Sequence, residues 1–230
     1  MRVLCGCETS GVVRRAFRTL GHEAWSCDLL PAADNSPFHR QCDVLTLLDE
    51  GWDMMIAHPD CQYLTNSAEW AYSDPDFVRY PDVGYHQKVK PETLVGAARR
   101  VAREHALDFV RRLLNAPIQR IALENPIGCI SSRIRKPDQI IQPWMFNDNA
   151  SKSTCLFLKN LPLLIPTTRY PGRWVEWPRG SGKMVERWGN QTDGGQNKLP
   201  PTDDRWMLRS RTYEGLAATM ANQWGVPAAD

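Results

Sequence analysis

The first 28 residues leave little freedom in how this chain begins to fold. Residues 2–7, Arg-Val-Leu-Cys-Gly-Cys, form a short apolar run that reads as a buried strand. Residues 8–11 make a polar turn of mostly small side chains. From 12 to 20, Val12, Val13, Ala16, Phe17 and Leu20 recur at helical spacing, and Gly21 stops the helix. Residues 23–27 read as a second strand, closed by Asp28. Strand, helix, strand is a βαβ unit, which requires parallel strands joined by a right-handed crossover. The chain is therefore expected to be α/β, Rossmann-like, with a mostly parallel sheet flanked by helices. Ligands of such a sheet sit in the crevice beyond the carboxyl ends of its strands.

Two later strands would deliver chemistry to that crevice. The apolar run 52–57 ends at His58-Pro59, with Cys61 just past it. The run 118–123 ends at Glu124-Asn125-Pro126, where the proline is expected to stop the strand. A glutamate at a buried strand end is unusual, because Glu is almost never buried unless paired. A thiol and a carboxylate at adjacent strand mouths suit covalent catalysis. The thiolate attacks, and the protonated acid supports charge developing on the substrate. Asp28 suits a ribose diol, so a nucleoside-containing cofactor is expected. A pyrophosphate is disfavoured, since the first turn holds only Gly6 and Gly11 and lacks the dinucleotide fingerprint.

Between these elements the pattern is uneven. Residues 41–48 place Asp43 and Val44 near the end of an element. Residues 68–90 have no period and read as a long loop that would serve as a lid. The strongest helix spans 92–114, with Thr93, Ala97, Val101, Ala106, Phe109, Val110, Leu113 and Leu114 in phase. Its arginines, Arg99, Arg100 and Arg103 among them, read as a solvated face. Residues 127–149 read as loop or short helix, 153–158 as a strand and 211–224 as a helix carrying Tyr213, Leu216, Met220 and Trp224 on one face.

From 162 to 209 Pro, Gly, Trp and Arg dominate without period, which reads as an irregular insertion on a single domain spanning 1–230. Net charge is only +2, so any nucleic-acid grip must be local. The insertion is where it would lie. Arg173, Lys183, Arg187, Lys198 and Arg209 interleave with Trp174, Trp177 and Trp188, a mixture suited to phosphate contact and base stacking. Gln196 and Asn197, after two glycines, could approach a groove and read adenine edges.

Seven cysteines, several in apolar runs, fit reduced thiols in the cytoplasm. Cys5, Cys7, Cys27 and Cys42 lack C-x2-C spacing. Strand alternation puts Cys5 and Cys7 on one face, so these read as core and no metal is expected. No apolar run reaches 18 residues and no signal-peptide pattern opens the chain, so neither a membrane span nor export is expected.

These residues resemble, in order, the DNA cytosine-5 methyltransferases, which have a class I S-adenosyl-L-methionine-dependent fold. Leu4 through Asp28 is similar to their cofactor-binding opening. Asp43-Val44 resembles the adenine-contacting pair, Pro59-Asp60-Cys61-Gln62 the Pro-Pro-Cys-Gln that carries the nucleophile, and Glu124-Asn125-Pro126 the Glu-Asn-Val whose Glu holds cytosine N3. Residues 211–224 look like the segment that closes beside the cofactor. The likeness covers about residues 1–160 and 209–225. It implies S-adenosyl-L-methionine held by Cys7, Glu8, Thr9, Ser10, Gly11, Asp28, Leu29, Asp43, Val44, Pro59, Arg211 and Thr212. It implies catalysis by Cys61, Glu124, Asn125 and Lys152, with DNA as partner, the target cytosine flipped out, and no obligate protein partner. Three features depart from the family. Asp60 replaces the second proline and sets an acid beside the thiol, so a cation, His58 or a basic group of the substrate-side loop, has to compensate. The Gln-x-Arg-x-Arg stretch is missing, with Lys152 and Thr154 about where its arginines would stand. The recognition region is far smaller. A modifier of single-stranded DNA, RNA or a free nucleotide, with a modified cofactor carrying an extra carboxylate, is the rival within this fold. A catalytically dead nucleic-acid-binding module is the rival outside it. Compactness points to a phage or mobile element acting in a bacterial cytoplasm.

Overall fold

The computed structural model describes residues 1–202 and 205–226; Asp203-Asp204 and residues 227–230, which fall inside the expected domain, lie outside the described residues. The opening βαβ unit forms as expected: β1 (Arg2–Gly6), α1 (Val12–Thr19) and β2 (Glu23–Asp28), with β1 and β2 parallel. There follow β3 (His39–Gln41), β4 (Met54–Ala57), α2 (Gly96–Leu114), β5 (Arg120–Pro126), α3 (Ile130–Arg133), β6 (Gln139–Ile141) and β7 (Thr154–Lys159). β8 (Arg173–Glu176), β9 (Met184–Arg187), α4 (Arg205–Ser210) and α5 (Glu214–Trp224) complete the chain.

Seven strands make one sheet in the order β3-β2-β1-β4-β5-β7-β6. The pairs from β3 to β5 are parallel, and β7 runs antiparallel to both β5 and β6. This is a Rossmann-like α/β fold. Strand alternation sorts the core onto two faces. Val3, Met54, Ile56, Ala122 and Leu156 pack with α1 and α5, around Phe17, Met220 and Trp224. Leu4, Met55, Ile121, Leu123 and Phe157 pack with α2, around Leu107, Val110 and Leu113. The central strands β1, β4 and β5 are buried on both sides, which is why they read as apolar runs rather than alternating ones. No helix among the described residues is long and apolar enough to cross a membrane.

Four expectations change. α2 starts at Gly96, not residue 92, because Glu92 (φ 65°) and Gly96 (φ 58°) hold left-handed backbone that interrupts a helix. Pro126 does not stop β5: it closes the ladder opposite Thr154, where a strand end tolerates a missing N–H. The insertion is not wholly irregular, since β8 and β9 form an antiparallel hairpin. Cys7 does not share the face of Cys5. Its own positive φ of 56° turns it, and it packs against the α2-side core while Cys5 lies in the other.

Candidate active site

Strand register brings the chemistry together. Gly6 pairs with Cys27 on one side and Ala57 on the other, and Ala57 pairs with Leu123. The next residue of each strand therefore falls into one transverse row: Asp28, Cys7, His58, Glu124. The row crosses the point where strand order reverses between β1 and β4, the place where open α/β sheets bind ligands.

The β1–β2 half of this mouth is acidic. Asp28, Asp43 and Asp60 all act on Cys7, and with burial, the larger cause, they push its thiol pKa up to about 12. Asp28 and Asp43 each use Oδ1 to accept from a backbone N–H two residues on, Leu30 and Leu45 respectively. Val44 is buried beneath Gly6, where a Cβ would stand 2.9 Å from Val44 Cγ2. Gly11 holds φ 66° at the head of α1, and a Cβ there would strike Arg14. Glu8 is committed to the head of α1. It is buried and accepts from the Val13 and Arg14 backbone N–H groups, at 2.8 and 3.3 Å, with the Ser10 hydroxyl also on it. It thus caps α1, and its side chain is not free for a cofactor. The Thr9 carbonyl accepts from Ala33 N. Leu29 is exposed, Thr212 is buried and exposed Arg211 pairs with Glu214.

The β4–β5 half is where cations meet the nucleophile. His58 Nδ1 stands 3.1 Å from Glu124 Oε2 in an almost fully buried ion pair, and Lys152 Nζ stands 4.0 Å from Glu124 Oε1. Burial favours a neutral Glu124, but His58 and Lys152 outweigh it and hold the carboxyl below its ordinary range. Burial likewise opposes charge on His58, yet Glu124, with Glu8 beyond it, raises the imidazole above its ordinary value. Glu124 at rest is therefore a carboxylate, not the protonated acid expected. Asn125 Nδ2 donates to the Pro59 carbonyl at 2.9 Å, tying the end of β5 to the loop that carries Cys61. Among the described residues Asn125 Oδ1, His58 Nε2 and Glu124 Oε2 are buried without a hydrogen-bond partner, so the His58–Glu124 contact is an ion pair by distance that is not aligned as a hydrogen bond.

Cys61 is half-buried. Burial raises its thiol pKa and Asp60 raises it further, while Lys152 and Arg209 pull it back. The compensating cations are thus Lys152 and Arg209. His58, expected in that role, belongs to Glu124. Lys152 also donates to the Arg209 carbonyl at 3.1 Å.

The loop beyond Cys61 is clamped by α2. Arg103 Nε donates to the Tyr63 carbonyl at 3.0 Å, its two other nitrogens fork onto Glu69, and its guanidinium lies 3.3 Å over the Tyr72 ring. Arg99 stacks over Tyr63 and Tyr72, and Arg100 donates to the Tyr72 carbonyl. Arg99 and Arg103 are buried, which corrects the reading of these arginines as a solvated face. From the other side Cys129 N donates to the Leu64 carbonyl, and Thr65 bridges to Gly128.

The expected nucleic-acid residues divide. Arg173 donates to Asp193 and the Gln191 carbonyl, and Arg187 to the Asp193 and Glu186 carbonyls, so both hold their own hairpin together. Asn197 Oδ1 accepts from Leu199 N. Lys183, Gln196, Lys198 and Arg209 are exposed. Trp188 is buried and stacked on Trp144, which makes it an anchor rather than a base platform, whereas Trp174 is exposed. Asn190 and Ser151 exchange two hydrogen bonds that fasten the hairpin beside Lys152.

No protein-family model matches the chain, and no curated protein matches it. Among solved structures it is similar to a prophage-encoded protein of E. coli assigned as a DNA modification methyltransferase, with 13% identity and a TM-score of 0.43 over 75% of this chain. The chain spans about half, 52%, of that structure's length. The fold described above rests on strand order and helix placement, not on this likeness.

Proposed function

We propose that this chain is an S-adenosyl-L-methionine-dependent methyltransferase acting on C5 of cytosine in DNA through a covalent Cys61–C6 adduct. The observation that carries the reading is Lys152. Its ammonium acts on both the Cys61 thiol, in the loop after β4, and the Glu124 carboxylate of β5, which supports one shared site for the two. The residues fit the cofactor: an acidic half-mouth of Asp28, Asp43 and Asp60 suits a cationic nucleoside, with Asp28 toward its ribose, Asp43 and Val44 toward its base and the Cys7–Gly11 backbone beside them. Bound there, the cofactor would supply an electrophilic methyl group. Lys152 and Arg209 favour the Cys61 thiolate, which adds to C6 and makes C5 nucleophilic. Glu124, once protonated, hydrogen-bonds N3 as charge moves into the ring. The unpartnered Asn125 Oδ1 suits the exocyclic amine. In a duplex the base must leave the stack.

Residues 162–209 are proposed as the reduced recognition region of a single domain, with Lys183, Gln196, Lys198 and Arg209 as its outward contacts. Arg173 and Arg187 are committed within the hairpin, and the remaining exposed cations make a thin grip. That observation favours keeping single-stranded DNA, RNA and a free nucleotide as alternative substrates.

The test incubates the protein with methyl-labelled cofactor and, separately, duplex DNA, single-stranded DNA, RNA and dCTP. Label is expected in DNA and absent with Cys61→Ala. A 5-fluorocytosine oligonucleotide should form a gel-stable adduct with the wild type alone. Label entering none of the substrates would refute the activity, and undiminished transfer by Cys61→Ala would refute the covalent route.

A further inference from the structure

Glu124 meets the candidate base site ionised, whereas the chemistry proposed above needs it as a proton donor. We propose that His58 is the positioning residue that supplies this proton, so that the His58–Glu124 pair, rather than the carboxyl alone, is the acid of the site. The inference rests on the cytosine reading.

Register makes the contact unavoidable. Ala57 and Leu123 are paired, so the residues that follow them emerge side by side. Both side chains are nearly enclosed, with 11% of His58 and 9% of Glu124 exposed. His58 Nε2 and Glu124 Oε2 both lack a hydrogen-bond partner among the described residues, and Nδ1 is the imidazole nitrogen that stands 3.1 Å from Oε2, so proton exchange runs between Nδ1 and Oε2 once a small turn of either side chain aligns them. The charged groups facing His58 are Glu124 from β5, Glu8 from the turn after β1 and Lys152 from the segment before β7. Lys152 lies on Glu124 Oε1, the oxygen that His58 does not face, and offers it charge.

The shuttle balances. The shuttle starts from an imidazolium with hydrogen on both nitrogens beside a Glu124 carboxylate, the forms toward which the pair shifts each group. A neutral pyrimidine closing over Glu124 removes its water and presents the N3 lone pair. The Nδ1–H bond then breaks and an O–H bond forms on the carboxyl. His58 is left neutral with its hydrogen on Nε2, and the carboxyl turns its hydroxyl to N3. As Cys61 sulfur bonds to C6, electron density displaced from the C5–C6 bond moves toward N3, which takes the proton. On elimination C5 gives up its own hydrogen as a proton to water at the mouth of the site, the C5–C6 double bond re-forms as the C6–S bond breaks, and N3 returns its proton to Glu124 and from there to Nδ1. The N3 proton is never drawn from solvent, which a site this enclosed requires.

The test has two arms on the full chain. In the first, the His58 imidazole is titrated by NMR. Its pKa should lie above 6.5 in the wild type and fall below 6.5 in Glu124→Gln, where burial and Lys152 act against charge with only Glu8 opposing them. This arm needs no substrate. In the second, adduct formation with the 5-fluorocytosine oligonucleotide is followed against pH for the wild type and His58→Gln. Gln can hydrogen-bond Glu124 but cannot carry the proton. The wild-type rate should fall as pH rises through the His58 pKa. The His58→Gln limb should move to lower pH, with a loss of about tenfold or more on the alkaline side of the wild-type limb, recovery at acid pH and little change in KM. An unmoved limb, or a loss equal at every pH, overturns the proposal, as does an unshifted titration in Glu124→Gln. Absence of any wild-type adduct overturns the cytosine reading and the role with it, while a normal wild-type adduct with either adverse result overturns the role alone.

Discussion

Replacing Arg103 by lysine should loosen the nucleophile loop at a cost that can be worked from its contacts. The guanidinium makes three. Its fork onto Glu69 ends on a side chain that is 59% exposed, so solvent reduces it to about 0.5 kcal/mol. Its Nε–H to the Tyr63 carbonyl is partly buried and contributes about 1 kcal/mol. Its stack on Tyr72 adds roughly 0.5–1 kcal/mol. Lysine keeps one contact with Glu69, so Arg103→Lys should cost about 1.5–2 kcal/mol, a fall of roughly 3–8 °C in Tm for a chain of this size. The loss should be local in origin: limited proteolysis between residues 61 and 95 should accelerate before the remainder is cut. Glu69→Gln is the control, and it should lower Tm by no more than about 2 °C because the pair it breaks is exposed. An Arg103→Lys Tm within about 1 °C of wild type with unchanged cleavage would refute the clamp. A Glu69→Gln loss as large as that of Arg103→Lys would show that the Tyr63 carbonyl is not the anchor.

Three further outcomes follow from the same geometry. Gly128→Ala places a Cβ 2.0 Å from the Leu64 carbonyl oxygen and 2.9 Å from Thr65 Cα, both backbone, so urea unfolding should register a loss of about 2 kcal/mol or more; an unchanged midpoint contradicts the close approach. Asp60→Asn removes the charge that, after burial, most raises the Cys61 thiol, so alkylation by iodoacetamide at neutral pH should quicken several-fold, and an unchanged rate would deny that Asp60 faces the sulfur. The His58–Glu124 pair also fixes a stability window. His58 has a folded pKa above 6.5, so its contribution is complete below 6.5 and is lost as pH rises through the folded value. Glu124 has one below 4.5, so its contribution is present above 4.5 and is lost as pH falls through the folded value. The pair should stabilise most between those pH values, and His58→Gln should flatten the dependence seen in chemical denaturation.

The α/β class was legible from residues 2–28 because an apolar run, a helical period and a second run admit few packings. Cys61 and Glu124 were legible as residues near the carboxyl ends of two strands because each apolar run stops just before them, although β5 itself runs on to Pro126. The partner of Glu124 was not. Adjacency of β4 and β5 is a long-range fact, since the whole of the loop 58–95 and α2 lie between them in sequence, and only register makes His58 the neighbour of Glu124. The arginines of α2 misled for a related reason. Arginine at helical spacing signals a wet face unless something covers it, and what covers Arg99 and Arg103 is the aperiodic loop bearing Tyr63 and Tyr72. The β8–β9 hairpin was hidden because exposed short strands need no apolar alternation.

Asp60 looks adverse in the sequence, since a carboxylate next to a nucleophilic thiol opposes its ionisation. Its place in the fold alters what that means. The crevice is divided by charge: Asp28, Asp43 and Asp60 bear on Cys7 at one end of the residue row, while Lys152 bears on Glu124 at the other and Arg209 joins Lys152 in acting on Cys61. Asp60 and Cys61 are adjacent in the chain yet answer to opposite halves, with Cys61 feeling both. The thiol therefore sits where the field changes sign, and its ionisation depends on what neutralises each half. A cation in the acidic half offsets the part of the rise in thiol pKa that comes from Asp60 and not from burial, whereas an anion in the basic half offsets the lowering by Lys152 and Arg209. A site built this way couples the readiness of its nucleophile to the charge of whatever it has already bound, and an apolar or proline residue at position 60 would sever that coupling.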